Sequence, residues 1–110
     1  MNKVTFLAVF TAFILSSVSL AHAKSARCFT TDDGYFPCQF MATDKVGSFE
    51  IRANRDKGLG YSIIVEEPGF ASGFVIIGGR SIAVGGMFVR QRDDGACWNN
   101  PELNVKVCAW

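Results

Sequence analysis

Ser48-Phe49-Glu50-Ile51-Arg52-Ala53 alternates polar and apolar residues at every step. Successive side chains on an extended chain point to opposite faces, so Phe49, Ile51 and Ala53 share one side while Ser48, Glu50 and Arg52 share the other. That pattern is a strand covered on one face only. Downstream, Tyr61 to Glu66 continues it, with Tyr61, Ile63 and Val65 on one face and Ile64 interrupting the polarity of the other. Between the two strands, Asn54 to Gly60 is polar and glycine-rich and reads as a connecting loop. Glu67-Pro68-Gly69 then turns the chain. Phe74-Val75-Ile76-Ile77, a short apolar run bounded by glycines, predicts a strand covered on both faces and the centre of the core. Gly85-Gly86 predicts a tight hairpin turn between Ser81–Val84 and Met87–Gln91, since both glycines can take positive φ. Upstream, strands are predicted at Phe29–Thr31 and Tyr35–Ala42, and at the far end over Val105–Trp110. No segment sustains a helical period. About eight short strands with no helix to cross between them imply an all-β fold, an antiparallel sandwich or a closed barrel.

The first 23 residues read differently. Lys3 precedes an apolar stretch from Val4 to Leu15, and Ala21-His22-Ala23 offers the small-x-small pattern of a signal peptidase site. A stretch of about a dozen apolar residues falls short of the roughly 20 that a membrane-crossing helix needs. The expectation is a cleaved signal peptide at 1–23 and one exported domain at 24–110, secreted or periplasmic, with no membrane insertion after cleavage. Removing 23 of the 110 residues leaves 87, and the leader takes only Lys3 from the 11 Lys and Arg and none of the 10 Asp and Glu, so the domain is neutral. Neutrality gives no electrostatic grip on nucleic acid. The single histidine, His22, leaves with the leader, and with it any Ser-His or Cys-His pair or histidine-ligated metal.

Four cysteines in an exported domain of this size predict two disulfides, for which sequence allows three pairings. Cys28 and Cys38 bracket the turn signal Asp32-Asp33-Gly34, and Cys97 and Cys108 bracket Asn99-Asn100-Pro101, so local pairing staples two hairpins. Joining the chain ends instead, Cys28 to Cys108 and Cys38 to Cys97, removes more unfolded-state entropy: roughly 4.5 kcal/mol for an 81-residue loop against roughly 2.8 for an 11-residue one. Geometry rather than entropy decides which sulfurs meet, which favours local pairing. There is no Cys-x-x-Cys for zinc or redox work.

Three acidic doublets, Asp32-Asp33, Glu66-Glu67 and Asp93-Asp94, could supply the paired carboxyls of a glycosidase or oxygens for calcium. Asp-Asp-Gly is, however, ordinary turn chemistry. Arg90 and Arg92, two apart on one predicted strand with Phe88, form a face suited to a carboxylate or a glycan. Trp98 and Trp110 complete the candidate ligand contacts. If Cys97 is bonded to Cys108, parity sends one indole into the core and the other to the surface. Tyr35, Phe36 and Phe40 are assigned to the core. No motif for a phosphate cradle, dinucleotide site or serine nucleophile occurs. The resulting expectation is a small exported non-catalytic binding or interaction protein, an enzyme inhibitor being one form, with no cofactor and another exported or envelope protein as partner. The alternatives are a carbohydrate-binding module built on Trp98, Trp110, Arg90 and Arg92, and a carboxylate-dependent hydrolase.

Overall fold

A computed structural model of the chain describes residues 23–110, so the signal peptide read at 1–23 lies outside the described residues except for Ala23. Eight antiparallel strands follow one another: β1 (Lys24–Thr30), β2 (Gly34–Ala42), β3 (Phe49–Ala53), β4 (Asp56–Glu67), β5 (Phe70–Ile77), β6 (Arg80–Arg90), β7 (Cys97–Asn100) and β8 (Val105–Ala109). Each pairs with its sequence neighbour, and β8 returns to β1 through Cys28↔Ala109, Phe29↔Cys108 and Thr30↔Val107. The fold is a closed barrel, not a sandwich. Closure leaves no sheet edge where β1 meets β8.

Period-two alternation fills the interior. Phe36, Phe49, Ile51, Tyr61, Ile63, Phe88, Trp98 and Val107 are all buried, one or two from each of β2, β3, β4, β6, β7 and β8. Glu50, Arg52 and Ser62 alternate with them and face outward. Apolar inside and polar outside is the reverse of the pattern in barrels that face lipid.

Both disulfides join local pairs. Cys28–Cys38 spans β1 and β2 diagonally inside the barrel, with Cα atoms 5.9 Å apart. Cys97 and Cys108 are directly opposed on β7 and β8, with Cα atoms 4.1 Å apart. Their neighbours Trp98 and Val107 point inward, so this second bridge lies on the outer wall. It is nevertheless buried, because Phe29 and Trp110 line the small recess in which it sits.

Four expectations are corrected. Ser81–Val84 and Met87–Gln91 belong to one strand, β6, and the hairpin turn is Gly78-Gly79, with φ of +59° and +78°. Two consecutive residues at positive φ are what a two-residue type I′ turn requires. Gly85-Gly86 instead makes a bulge: Ala71↔Phe88 and Gly73↔Val84 bracket two steps on β5 against four on β6. Asp56–Gly60 is strand rather than loop, because a register shift at Arg52/Ala53 leaves only two residues between the end of β3 and the start of β4. Asn99 and Asn100 extend β7, leaving the turn to residues 101–104 with Asn104 at φ 56°. Finally, Phe74–Ile77 is not the core centre. Only Ile76 is buried, while Ile77 is 51 % exposed, because this end of β5 runs past the barrel on the long β4–β5–β6 ribbon.

Candidate binding site at the barrel mouth

An up-and-down barrel sorts its connections by parity. The turns β1–β2, β3–β4, β5–β6 and β7–β8 gather at one end. The segments 43–48, 68–69 and 91–96, with the start of β1 and the end of β8, gather at the other, which is the mouth.

Arg90 ends β6 at this mouth, two residues beyond the buried Phe88, and pairs in register with Trp98 on β7. Its guanidinium carbon lies 5.0 Å from the centre of the Trp98 ring. Trp98 is 1 % exposed, so the arginine is the lid of the apolar interior and the indole is its floor. On one side of this pair opens a cleft of about 390 Å³ lined by Val46, Val65, Glu66, Glu67, Pro68 and Gly69. Across it a smaller recess of about 230 Å³ reaches Phe40 and Phe49, whose rings stack at 5.2 Å. The larger volume lies within the range of small-ligand sites, about 300 to 1,000 Å³.

Local sequence explains the shape. Pro68 and Gly69, the latter at φ 84°, turn β4 into β5 in two residues and keep that rim low. Gly47, at φ 105°, brings the 43–48 segment across, its missing Cβ 3.5 Å from an Arg90 nitrogen. The Asp44 carboxylate holds this segment by accepting from the amides of Val46 (2.9 Å) and Ser48 (3.0 Å). Hydrogen bonding from the Ser48 hydroxyl, then from backbone amides, keeps Asp44 ionised below the usual carboxylate range. The same hydroxyl oxygen accepts from the Val65 amide at 2.8 Å, so the buried Ser48 ties rim to wall.

Among the described residues the ion pairs are Arg52–Glu50 and Arg55–Asp33, and Arg90 belongs to neither. Glu66, which also lines the cleft, accepts from the Ser72 hydroxyl at 2.7 Å. Arg90 therefore presents a charge without a carboxylate of its own, against an apolar wall. Such a guanidinium is suited to bidentate recognition of a carboxylate.

Of the four candidate ligand contacts, Arg90 and Trp98 come together and the other two do not. Arg92 lies past the end of β6, exposed in the 91–96 segment, so the parity that put it beside Arg90 does not apply. Trp110 lies on the outer wall, 46 % exposed, and its indole N–H donates to Asp94 Oδ2 at 3.0 Å. There it stands 5.9 Å from Tyr35, whose ring is covered at 4.3 Å by the Arg27 guanidinium. Tyr35 is thus an outer-wall residue and not core, at 60 % exposure, whereas Phe36 is core. The sequence marks Val65 only as a strand position and Pro68 only as part of a turn, and it gives no signal at Val46.

The acidic doublets are divided by parity. Asp32-Asp33 sits at the end opposite the mouth, where Asp33 accepts from the Thr30 hydroxyl (3.1 Å) and pairs with Arg55 (3.4 Å). Asp93-Asp94 and Glu66-Glu67 sit at the mouth end, where Asp94 accepts from the Ala96 amide and from Trp110. Among the described residues no three His, Cys, Asp or Glu side chains group as a metal site would need. Comparison with protein-family models, curated proteins and solved structures finds no match.

Proposed function

We propose that this chain is a small exported binding protein, without catalytic chemistry of its own, that takes a carboxylate with an apolar flank at its barrel mouth. Arg90 carries the proposal: a guanidinium with no carboxylate partner among the described residues, held over a buried indole and opening on a cleft of about 390 Å³. The guanidinium would clamp the carboxylate while Val46, Val65 and Pro68 cover the apolar part. Two disulfides suit an oxidising compartment, in keeping with export. The carboxylate could belong to a free small acid or to a side chain or C-terminus of a partner protein.

Calorimetry with phenylacetate and its neutral amide tests the chemistry, and capture from periplasmic and culture extracts by the native protein and by Arg90→Met tests the source. The acid should bind at least about tenfold more tightly than the amide, and Arg90→Met should lose that preference, as expected for a charge-assisted pair. A protein retained by the native chain and released by Arg90→Met would point to a protein carboxylate. Equal affinities of acid and amide, together with identical capture by both chains, would overturn the assignment.

A further inference from the structure

β6 is long, and among the described residues most of it has no strand partner on one side. It pairs with β5 from Arg80 to Val89, but with β7 only through Val89↔Asn99 and Arg90↔Trp98. At the bulge the seam is held by Asn100, whose amide Nδ2–H donates to Gly85 O at 2.7 Å. Below it, Arg80–Val84 forms an edge that is open among the described residues.

The Gly78-Gly79 turn fixes which backbone groups that edge presents. In a two-residue hairpin the flanking pair, here Ile77 and Arg80, is hydrogen-bonded, and the alternation of antiparallel ladders then turns the N–H and C=O of Ser81 and Ala83 away from β5. Gly85, two residues on, directs its carbonyl the same way, to Asn100. The segment has no proline and only one charge, Arg80, so it lacks the devices that blunt an edge strand. Exposed apolar side chains collect around it. Of the eight large hydrophobic residues exposed among those described, Ile77, Ile82 and Met87 flank this edge and Leu103 lies on the adjoining β7–β8 turn.

We infer that this edge pairs with the same edge of a second copy of the chain, forming a two-fold antiparallel β6–β6 ladder. Only one symmetric register pairs the two outward-facing residues with each other: Ser81 opposite Ala83 of the other copy, Ala83 opposite Ser81, and Ile82 opposite Ile82. That register makes four backbone hydrogen bonds and brings two half-exposed isoleucines together on the axis. It also places Arg80 opposite Val84 of the other copy, two residues from Gly86. Glu102 stands there, its carboxylate oxygen 2.8 Å from where a Gly86 Cβ would be. Arginine from one copy thus approaches glutamate from the other at both ends of the ladder, while the two arginines stay apart.

Sedimentation of the exported, oxidised protein tests this, with three variants. The native chain should be dimeric at high concentration. Ala83→Pro removes an N–H that β5 does not use, so the barrel should fold while the dimer dissociation constant rises about tenfold or more. Ile82→Lys, which places two ammonium groups on the axis, should sediment as a monomer with unchanged circular dichroism. Ile82→Cys should oxidise to a covalent dimer, since directly opposed residues are bridgeable, as Cys97 and Cys108 show within this molecule, whereas Ser81→Cys should not. No other thiol is free to compete. A native chain that stays monomeric at every concentration overturns the inference, as does a dimer unaffected by both Ala83→Pro and Ile82→Lys. Capture of a different protein on a monomer would assign the edge to another partner.

Discussion

The two ends of the barrel hold the same kinds of residue and use them in opposite ways. At the end away from the mouth, Arg55 is paired with Asp33, Asp33 accepts from the buried Thr30, and the recess above Tyr61 and Phe36 holds only about 180 Å³. At the mouth, Arg90 stacks on Trp98, has no carboxylate partner among the described residues, and opens on about 390 Å³. Where the neighbouring β1–β2 turn supplies an acid, the arginine of the β3–β4 turn is closed over. A rim that turns Glu66 to Ser72 and Asp94 to Trp110, and in which Glu67 makes no ion pair with Arg90, leaves the guanidinium to the solvent or a ligand.

The sharpest way to break that contrast is to remove the floor of the mouth. Trp98→Ala deletes a buried indole that touches both the interior and Arg90, and should cost about 3 to 5 kcal/mol, read as a lower midpoint in urea. Phenylacetate binding should disappear in the same variant. Gly60→Ala should act next most strongly, and at the other end. A Cβ there would sit on the Ile51 carbonyl oxygen, a backbone atom that can move only with β3, so about 1 to 3 kcal/mol of destabilisation is expected with the mouth site intact. Had Gly60 been a flexible loop residue, as its glycine-rich surroundings suggest, the change would be silent in the same urea titration.

Charge removal should separate the ends more cleanly than core damage does. Arg55→Met breaks an exposed ion pair and should change stability by no more than about 1 kcal/mol. Arg90→Met retains the stem over Trp98 and should likewise leave the urea midpoint almost unchanged, yet it alone should abolish discrimination between phenylacetate and its amide. If Arg55→Met weakened ligand binding as much as Arg90→Met, the functional distinction between the ends would be wrong.

How much of this was written in the chain depends on the range of the interaction. Phe49–Ala53 and the Tyr61–Val65 face were legible because period two survives any tertiary context, and the local disulfides because each bracketed a turn signal. Local rules failed where two glycine pairs competed for one turn: Gly78-Gly79 and Gly85-Gly86 are equivalent as dipeptides, and only the register of β5 against β6 decides that the second is a bulge. The sequence marks Trp98 and Arg90 as candidates, but their stacking needs the register of β7 against β6, which no spacing encodes. Arg92 leaves the face expected for it because β6 ends at Arg90, one alternation short. The open β6 edge could not be read at all, since it arises from β6 outrunning β7.

The smallest expected effect distinguishes the ends by pH. Asp44, in the mouth rim, is held below the usual carboxylate range by the Ser48 hydroxyl and nearby amides, so its contribution is complete above the unfolded value near 3.8 and is lost as pH falls through its lower folded value. Tyr61, towards the opposite end, is pushed above its ordinary value of 10.0, first by burial and then by the charges of Asp32 and Asp33. Its neutral form is the one the fold favours, so that contribution is present below 10.0 and is lost as pH rises through the raised folded value. Amide hydrogen exchange should therefore show protection at Val46 and Ser48 falling first in acid and protection around Tyr61 falling first in alkali. In Asp44→Asn the acid step should vanish and the alkaline step remain. Loss of both protections together at either extreme would mean that the barrel opens as one unit and that its two ends are not independently held.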